Sequence, residues 1–206
     1  MNNAKVIPIP LRYFGHRRYV DVFSISSAIH RALFGGPPGL QIRNLDLRIS
    51  KPIRHDGLLV RAPNPQEKHD AFVHYSFNDE TNNLQEYAVL ASDELISRSE
   101  PELERPSVSE ILFDARKATL LIDREIEHGD VGYMGMVLGK EILERELPNC
   151  SPRVLRVRYN EGRSLRIGDT ASVEINRLLL DFFRLDYKIN GAGFATITGK
   201  YLGSAP

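Results

Sequence analysis

With only one cysteine, Cys150, among 206 residues, the chain has no internal disulfide, so a disulfide-stapled secreted scaffold is excluded. A reducing cytoplasm is the expected setting. No apolar run approaches the roughly 18 residues that cross a bilayer, and the opening MNNAKVIPIPLRY lacks the basic-then-apolar layout of a secretory signal. No membrane segment is expected. An excess of one charge is missing too: Lys+Arg and Asp+Glu both number 27, giving a formal net charge of zero. A dedicated nucleic-acid binder carries a basic excess, so nucleic acid is not an expected partner. The stretch Gly35-Gly36-Pro37-Pro38 has no Walker or dinucleotide spacing, and the scattered histidines have no ligand spacing, so neither a phosphate loop nor a metal site is inferred. What remains is a soluble, globular composition, 42% apolar and 26% charged, long enough for one large domain or two small ones sharing a core.

The chain is internally repetitive. Asp21 to Phe34 (DVFSISSAIHRALF) has the layout of Asp130 to Leu143 (DVGYMGMVLGKEIL), an offset of 109 (130 − 21). Ile25, Ala28, Ile29, Ala32 and Leu33 in the first, and Met134, Val137, Leu138 and Ile142 in the second, fall at helical spacing, so each segment predicts a helix with one buried face. Asp21 and Asp130 stand where an N-cap would, and Gly35-Gly36-Pro37-Pro38 and Pro148 end the helices. A period-two strand follows each: Leu45, Leu47 and Ile49, then Leu155, Val157 and Tyr159, at an offset of 110. Lys51 to Ala62 aligns with Ser164 to Ile175, bringing Asp56 opposite Asp169 at 113, which implies an insertion near Glu161-Gly162-Arg163. Ala71 to Phe77 aligns with Asp181 to Tyr187 at 110, and each half closes on a further strand, Leu84 to Ala91 or Phe194 to Tyr201, after an Asn-rich or Asn-Gly turn.

Residues 1–92 and 120–206 therefore read as two halves of one α+β design, each a long helix laid across a curved antiparallel sheet. Residues 93–119, polar and acidic with two prolines, read as a linker over the surface. Two such halves can join edge to edge into one continuous sheet, each covering the other's open strand. A further homodimer is compatible with this but not required.

The second half resembles the hotdog superfamily, in particular the β-hydroxyacyl-ACP dehydratases and acyl-thioesterase-like relatives. Val137 to Glu141 (VLGKE) is similar to the dehydratase helix pattern Val-Leu-x-x-Glu, and Arg166 to Ile175 (RIGDTASVEI) is similar to their Pro-Gly-Asp-x-Leu strand entry. His128 precedes Glu141 by 13 residues, close to that family's His-to-Glu separation. The Phe-Pro after the His and the Pro-Gly before the Val-Leu are absent here. The resemblance implies a tandem double hotdog acting on an acyl thioester of CoA or acyl carrier protein. Phosphopantetheine is then part of the substrate, and no separate cofactor is expected.

Glu141 is the most informative residue, because it falls on the apolar stripe of its helix while its counterpart at the 109 offset is Ala32. A carboxylate there finds hydrogen bonds, takes up a proton or serves chemistry; the plainer reading is that it lies at the stripe's margin and reaches solvent, or pairs with Lys140 or Arg145. His16 and His128 each lie just before a helix, and the resemblance implies that a loop His of one half meets the helical acid of the other, His16 with Glu141. Such a pair suits proton transfer α to a thioester carbonyl. Asp130 is a cap or a water-activating acid. Tyr133 and Tyr19 are candidate donors to a substrate carbonyl, and Gly132 and Gly135 allow close backbone approach at the helix N-terminus, a natural oxyanion site. His30 is read at the flank of its stripe, and His55, His69 and His74 as structural. Arg153, Arg156, Arg158 and Arg163 form a basic run that can attract a phosphate or an acidic carrier protein, or simply face solvent.

The expected activity is dehydration or double-bond isomerisation of an acyl thioester by a His/Glu pair, in fatty-acid, polyketide or specialised-metabolite biosynthesis. Hydrolysis or acyl transfer on the same fold, and a non-catalytic acyl-binding module, are the alternatives.

Overall fold

The computed structural model describes residues 6–14, 20, 22–35, 43–97, 99–100, 110–126, 128–148, 151–161 and 164–202, with backbone alone at 14, 23, 24, 99, 100, 128–130, 133, 160, 161 and 202. The chain forms two compact units, Met1–Leu103 and Glu104–Pro206.

The first unit runs β1 (Val6–Ile9), β2 (Tyr13–Phe14), α1 (Val22–Phe34), β3 (Arg43–Ile49), β4 (His55–Arg61), α2 (Pro65–Asp70), β5 (Val73–Asn78), β6 (Leu84–Leu95) and β7 (Ser99–Glu100). Five strands form an antiparallel sheet in the order β1-β4-β6-β5-β3, and β2 pairs separately with β7. α1 buries Ile25 and Ile29 of the predicted stripe, keeps Ala28, Ala32 and Leu33 half-buried, adds Val22, and stops at Gly35, whose φ of 75° only glycine adopts at little cost. α2 was not foreseen, although its signal was in the sequence. The Asn64 side chain accepts from the Glu67 backbone N–H, the Glu67 carboxylate accepts from the Asn64 backbone N–H, and Pro65 opens the first turn.

The second unit runs β8 (Ile111–Asp114), β9 (Lys117–Leu121), α3 (His128–Glu146), β10 (Ser151–Glu161), β11 (Thr170–Leu179), β12 (Phe182–Ile189) and β13 (Ala192–Leu202). Its strands are antiparallel neighbours in the order β10-β13-β12-β11-β9-β8. The core beneath α3 is built from alternate residues of these strands, including Val173, Ile175, Leu185, Tyr187 and Ile197.

Two expectations need correction. The stretch 93–119 is not simply a linker: β6 continues to Leu95, and β8 with most of β9 lies within it, Ile111, Ala118 and Leu120 pointing into the core. The halves also do not repeat one strand order. β12 and β13 follow β11 as a plain meander, whereas β5 sits between β3 and β6, so β4 pairs with β6 and not with the next strand in the chain. The connections explain this: Leu180 and Asp181 alone join β11 to β12, a link that reaches only a neighbour, while residues 62–72, carrying α2, allow a strand to be skipped.

Candidate functional site

α3 lies against its own sheet through Val131, Met134, Leu138 and Ile142, with Val137 and Leu143 also buried. Two glycines let it approach closely. A Cβ on Gly135 would stand 2.5 Å from Tyr187 Cδ1, and one on Gly139 would stand 2.6 Å from Leu185 Cδ1, so β12 side chains fill the space a larger residue would need. What covers Gly135 is thus the Tyr187 ring, which gives this glycine a packing reason; Gly132 is half-buried.

Glu141 is half-buried on this helix. The bases that the plainer reading assigned to it are engaged elsewhere. Lys140 Nζ lies 3.4 Å from Glu144 Oε1, and the Arg145 guanidinium sits 4.0 Å above the Phe113 ring. Among the described residues Glu141 makes no hydrogen bond or ion pair. Half-buried as it is, the carboxylate keeps access to water.

α3 opens at His128, so His128 belongs to the helix, and Asp130 lies in its first turn and not at the cap position. The side chains of His128, Asp130 and Tyr133 lie outside what is described, as do His16, Tyr19 and Asp21 altogether, so no pairing of these groups with Glu141 enters the geometry.

One buried polar pair escaped the sequence reading. His30, expected at the flank of α1, is buried, and its Nε2 shares a hydrogen bond with the hydroxyl of Tyr75, itself buried. The Phe34 and Tyr75 rings lie 6.0 and 5.8 Å from the imidazole, and Phe77 stacks on Tyr87 at 6.0 Å. Phe34 one turn after His30, with Tyr75 and Phe77 on one face of a strand, was the available signal. The two strand-entry aspartates hold backbone. Asp56 accepts from the Leu11 N–H at 2.7 Å, and Asp169 accepts from the Arg166 N–H at 2.8 Å and Asn190 Nδ2 at 2.6 Å. Among the described residues no group of three His, Cys, Asp or Glu could hold a metal ion, and no helix is long and apolar enough to cross a membrane.

No family model and no curated protein matches the sequence. Solved structures do. An acyl-ACP thioesterase from Bacteroides thetaiotaomicron is similar at a TM-score of 0.51 and 12% identity, over 98% of this chain and 98% of that one. The tesB protein of Mycobacterium avium subs paratuberculosis is similar at 0.50 and 10% identity, over 95% of this chain and 91% of that one. At these identities the likeness is one of fold, and the fold is the hotdog.

Proposed function

We propose, with the hotdog fold as premise, that this protein is an enzyme acting on acyl thioesters of CoA or an acyl carrier protein, with Glu141 as its proton-transferring group. The observation that supports this reading is a half-buried carboxylate, on a helix face of apolar residues, that has no protein partner among the described residues. In the elimination or isomerisation reading, the carboxylate removes the proton α to the thioester carbonyl, and a second group, for which His16 is proposed ahead of His128, protonates the departing β-hydroxyl or the distal carbon. Tyr19, Tyr133, Asp130 and the first turn of α3 around Gly132 are proposed to hold the thioester oxygen or the water. Hydrolysis is the second reading. It needs only a carboxylate that takes a proton from water as the water attacks the carbonyl and the thiol leaves, and the one candidate acid whose side chain is described is Glu141.

The test is a panel of saturated, enoyl and β-hydroxyacyl thioesters, on CoA and on carrier protein, followed by mass spectrometry. Water loss or gain supports the first reading and free acid the second. Glu141→Gln keeps the shape and removes the base, so turnover should fall about 100-fold or more with little change in melting temperature. Unchanged thioesters across the panel, with binding retained, would point instead to a non-catalytic acyl-binding module. Full turnover in a Glu141→Gln protein that melts much earlier would make Glu141 a structural acid.

A further inference from the structure

The solvent side of the second unit's sheet, opposite α3, gathers positive charge in a pattern that folding alone does not favour. Across four strands, Arg156 pairs with Thr198, Thr198 with Arg184, and Arg184 with Arg177. One row nearer the end of the sheet, Arg153 stands directly opposite Lys200, which stands opposite Phe182. Two like-charged pairs, Arg177 with Arg184 and Arg153 with Lys200, therefore face each other directly on one side of the sheet. At a cross-strand Cβ separation of about 5 Å such pairs are destabilising.

Local acids relieve this only in part. Asp186 lies 3.3 Å from Arg184 and Asp181 lies 3.0 Å from Lys200, both exposed arrangements worth little; Arg153 and Arg156 have partners of their own, while Arg177 makes no ion pair or hydrogen bond among the described residues. The first unit shows that the architecture does not demand cations here: the register row that starts at Asp46, the position aligned with Arg156, runs through Ser76 to Glu86. In a chain of zero net charge, this row has been made basic in one unit only.

The chemistry of the patch selects among anionic partners. Beside the cations, the β11–β12 turn exposes Leu179 at 52% and Leu180 at 88%. Arginine with exposed apolar side chains is the combination protein interfaces use, and arginine's planar fork suits carboxylates. A bilayer meeting the hairpin tip would meet Asp181 first and leave Arg156 behind on the flat of the sheet, and nucleic acid has no use for the leucines.

We propose that this face of the second unit docks an acidic protein, namely the carrier that bears the acyl thioester; the carrier's identity rests on the function proposed above. Docking there leaves the α3 side of the sheet uncovered. The test uses the full chain and a purified holo acyl carrier protein as probe, at low and high salt. Wild type should bind and weaken with salt, and R177E/R184E should bind at least about 10-fold less tightly. Arg177→Glu alone should melt higher, because a carboxylate then faces Arg184, yet still bind less well, a combination that misfolding does not produce. In turnover, R177E/R184E should raise KM for the carrier-borne acyl group and leave the CoA-borne one unchanged. If neither thioester is turned over, the proposed activity fails while the binding measurements still decide the docking. Equal binding by wild type and R177E/R184E, an equal KM change on both substrates, or tighter binding of duplex DNA or anionic vesicles than of the carrier protein would overturn the proposal.

Discussion

The two units start from the same plan, a helix and an antiparallel sheet, and differ where the plan leaves room. In the first, α1 presents His30 to Tyr75 within a group of aromatic rings. In the second, the aligned helix position is Gly139, α3 is drawn onto β12, and the polar group on the stripe is a half-buried carboxylate at the position aligned with Ala32. One helix has its buried polar atom answered by a hydroxyl, and the other carries a half-buried acid with no protein partner among the described residues. A buried group with a partner is accounted for by stability, whereas the half-buried acid is the one proposed above for chemistry.

The most direct way to break this contrast is to make the helices alike at that position. Glu141→Ala places the first unit's residue in the second. It should lower turnover of any accepted thioester about 100-fold or more and leave melting unchanged or slightly raised, because a carboxylate without a partner is removed. Ala32→Glu, the reverse exchange, should lower the melting temperature and add no activity. An active Glu141→Ala protein would leave the contrast without functional meaning.

A smaller effect tests the close approach of α3. Gly135→Ala gains about 1 kcal/mol of helix propensity but drives a methyl into the Tyr187 ring, an overpacking of about 1–3 kcal/mol, so the net result should be a lower melting temperature. Gly139→Ala meets only the movable end of Leu185 and should cost less, and Ser26→Ala, at the aligned position of α1, should change little. Equal melting for all three would mean the two helices sit on their sheets in the same way.

Much of this was legible in the sequence, for reasons that also mark the limits. Helix faces and period-two strands leave periodic apolar signals, so α1, α3, β3, β10 and the offsets near 110 could be read directly. Strand order could not be, because it depends on connection length more than on pattern: Leu180-Asp181 forces a hairpin, while the Asn64-capped α2 lengthens the corresponding link. The β8–β9 hairpin stayed hidden because its strands are short and its turn puts Ala115, not Gly or Asn, at φ 43°. Glu141 stood out as an acid on an apolar stripe. That Arg145 turns away from it is settled by a tertiary contact to Phe113, whereas Lys140 pairs with Glu144 one turn on in the same helix, a spacing the sequence already offered.

Below these lies the His30–Tyr75 pair. Tyr75→Phe removes one buried hydrogen bond and should cost about 1 kcal/mol, a fall in melting temperature of roughly 2–4 °C for a chain of this size, with turnover unaffected, because neither His30 nor Tyr75 is among the residues proposed for the site. A matching loss of turnover would bring this pair into the chemistry.

The smallest expected effect is a pH dependence confined to the first unit's outer face. His74 stands opposite Arg48 on β3, and the matching register position of the second unit, opposite Arg158, is Thr196. Burial holds His74 below its ordinary value of 6.5, helped by the charges of Arg48 and Lys68 and opposed by Glu86. The folded chain therefore takes up this proton at lower pH than the unfolded chain does. The stability is fully present above about pH 6.5, and as pH falls below that value the unfolded state binds the proton first and stability declines, levelling off once pH is below the folded value. The residue is only half-buried, so solvent screening keeps the change small, on the order of 2 °C or less in melting temperature. His74→Thr installs the second unit's residue. In a series of melts between pH 7.5 and 5, the difference between wild type and this variant should shift against wild type as the pH drops. A difference that stays constant across the series would show that His74 titrates alike in the folded and unfolded chains, and that the two outer faces do not differ in their response to acid.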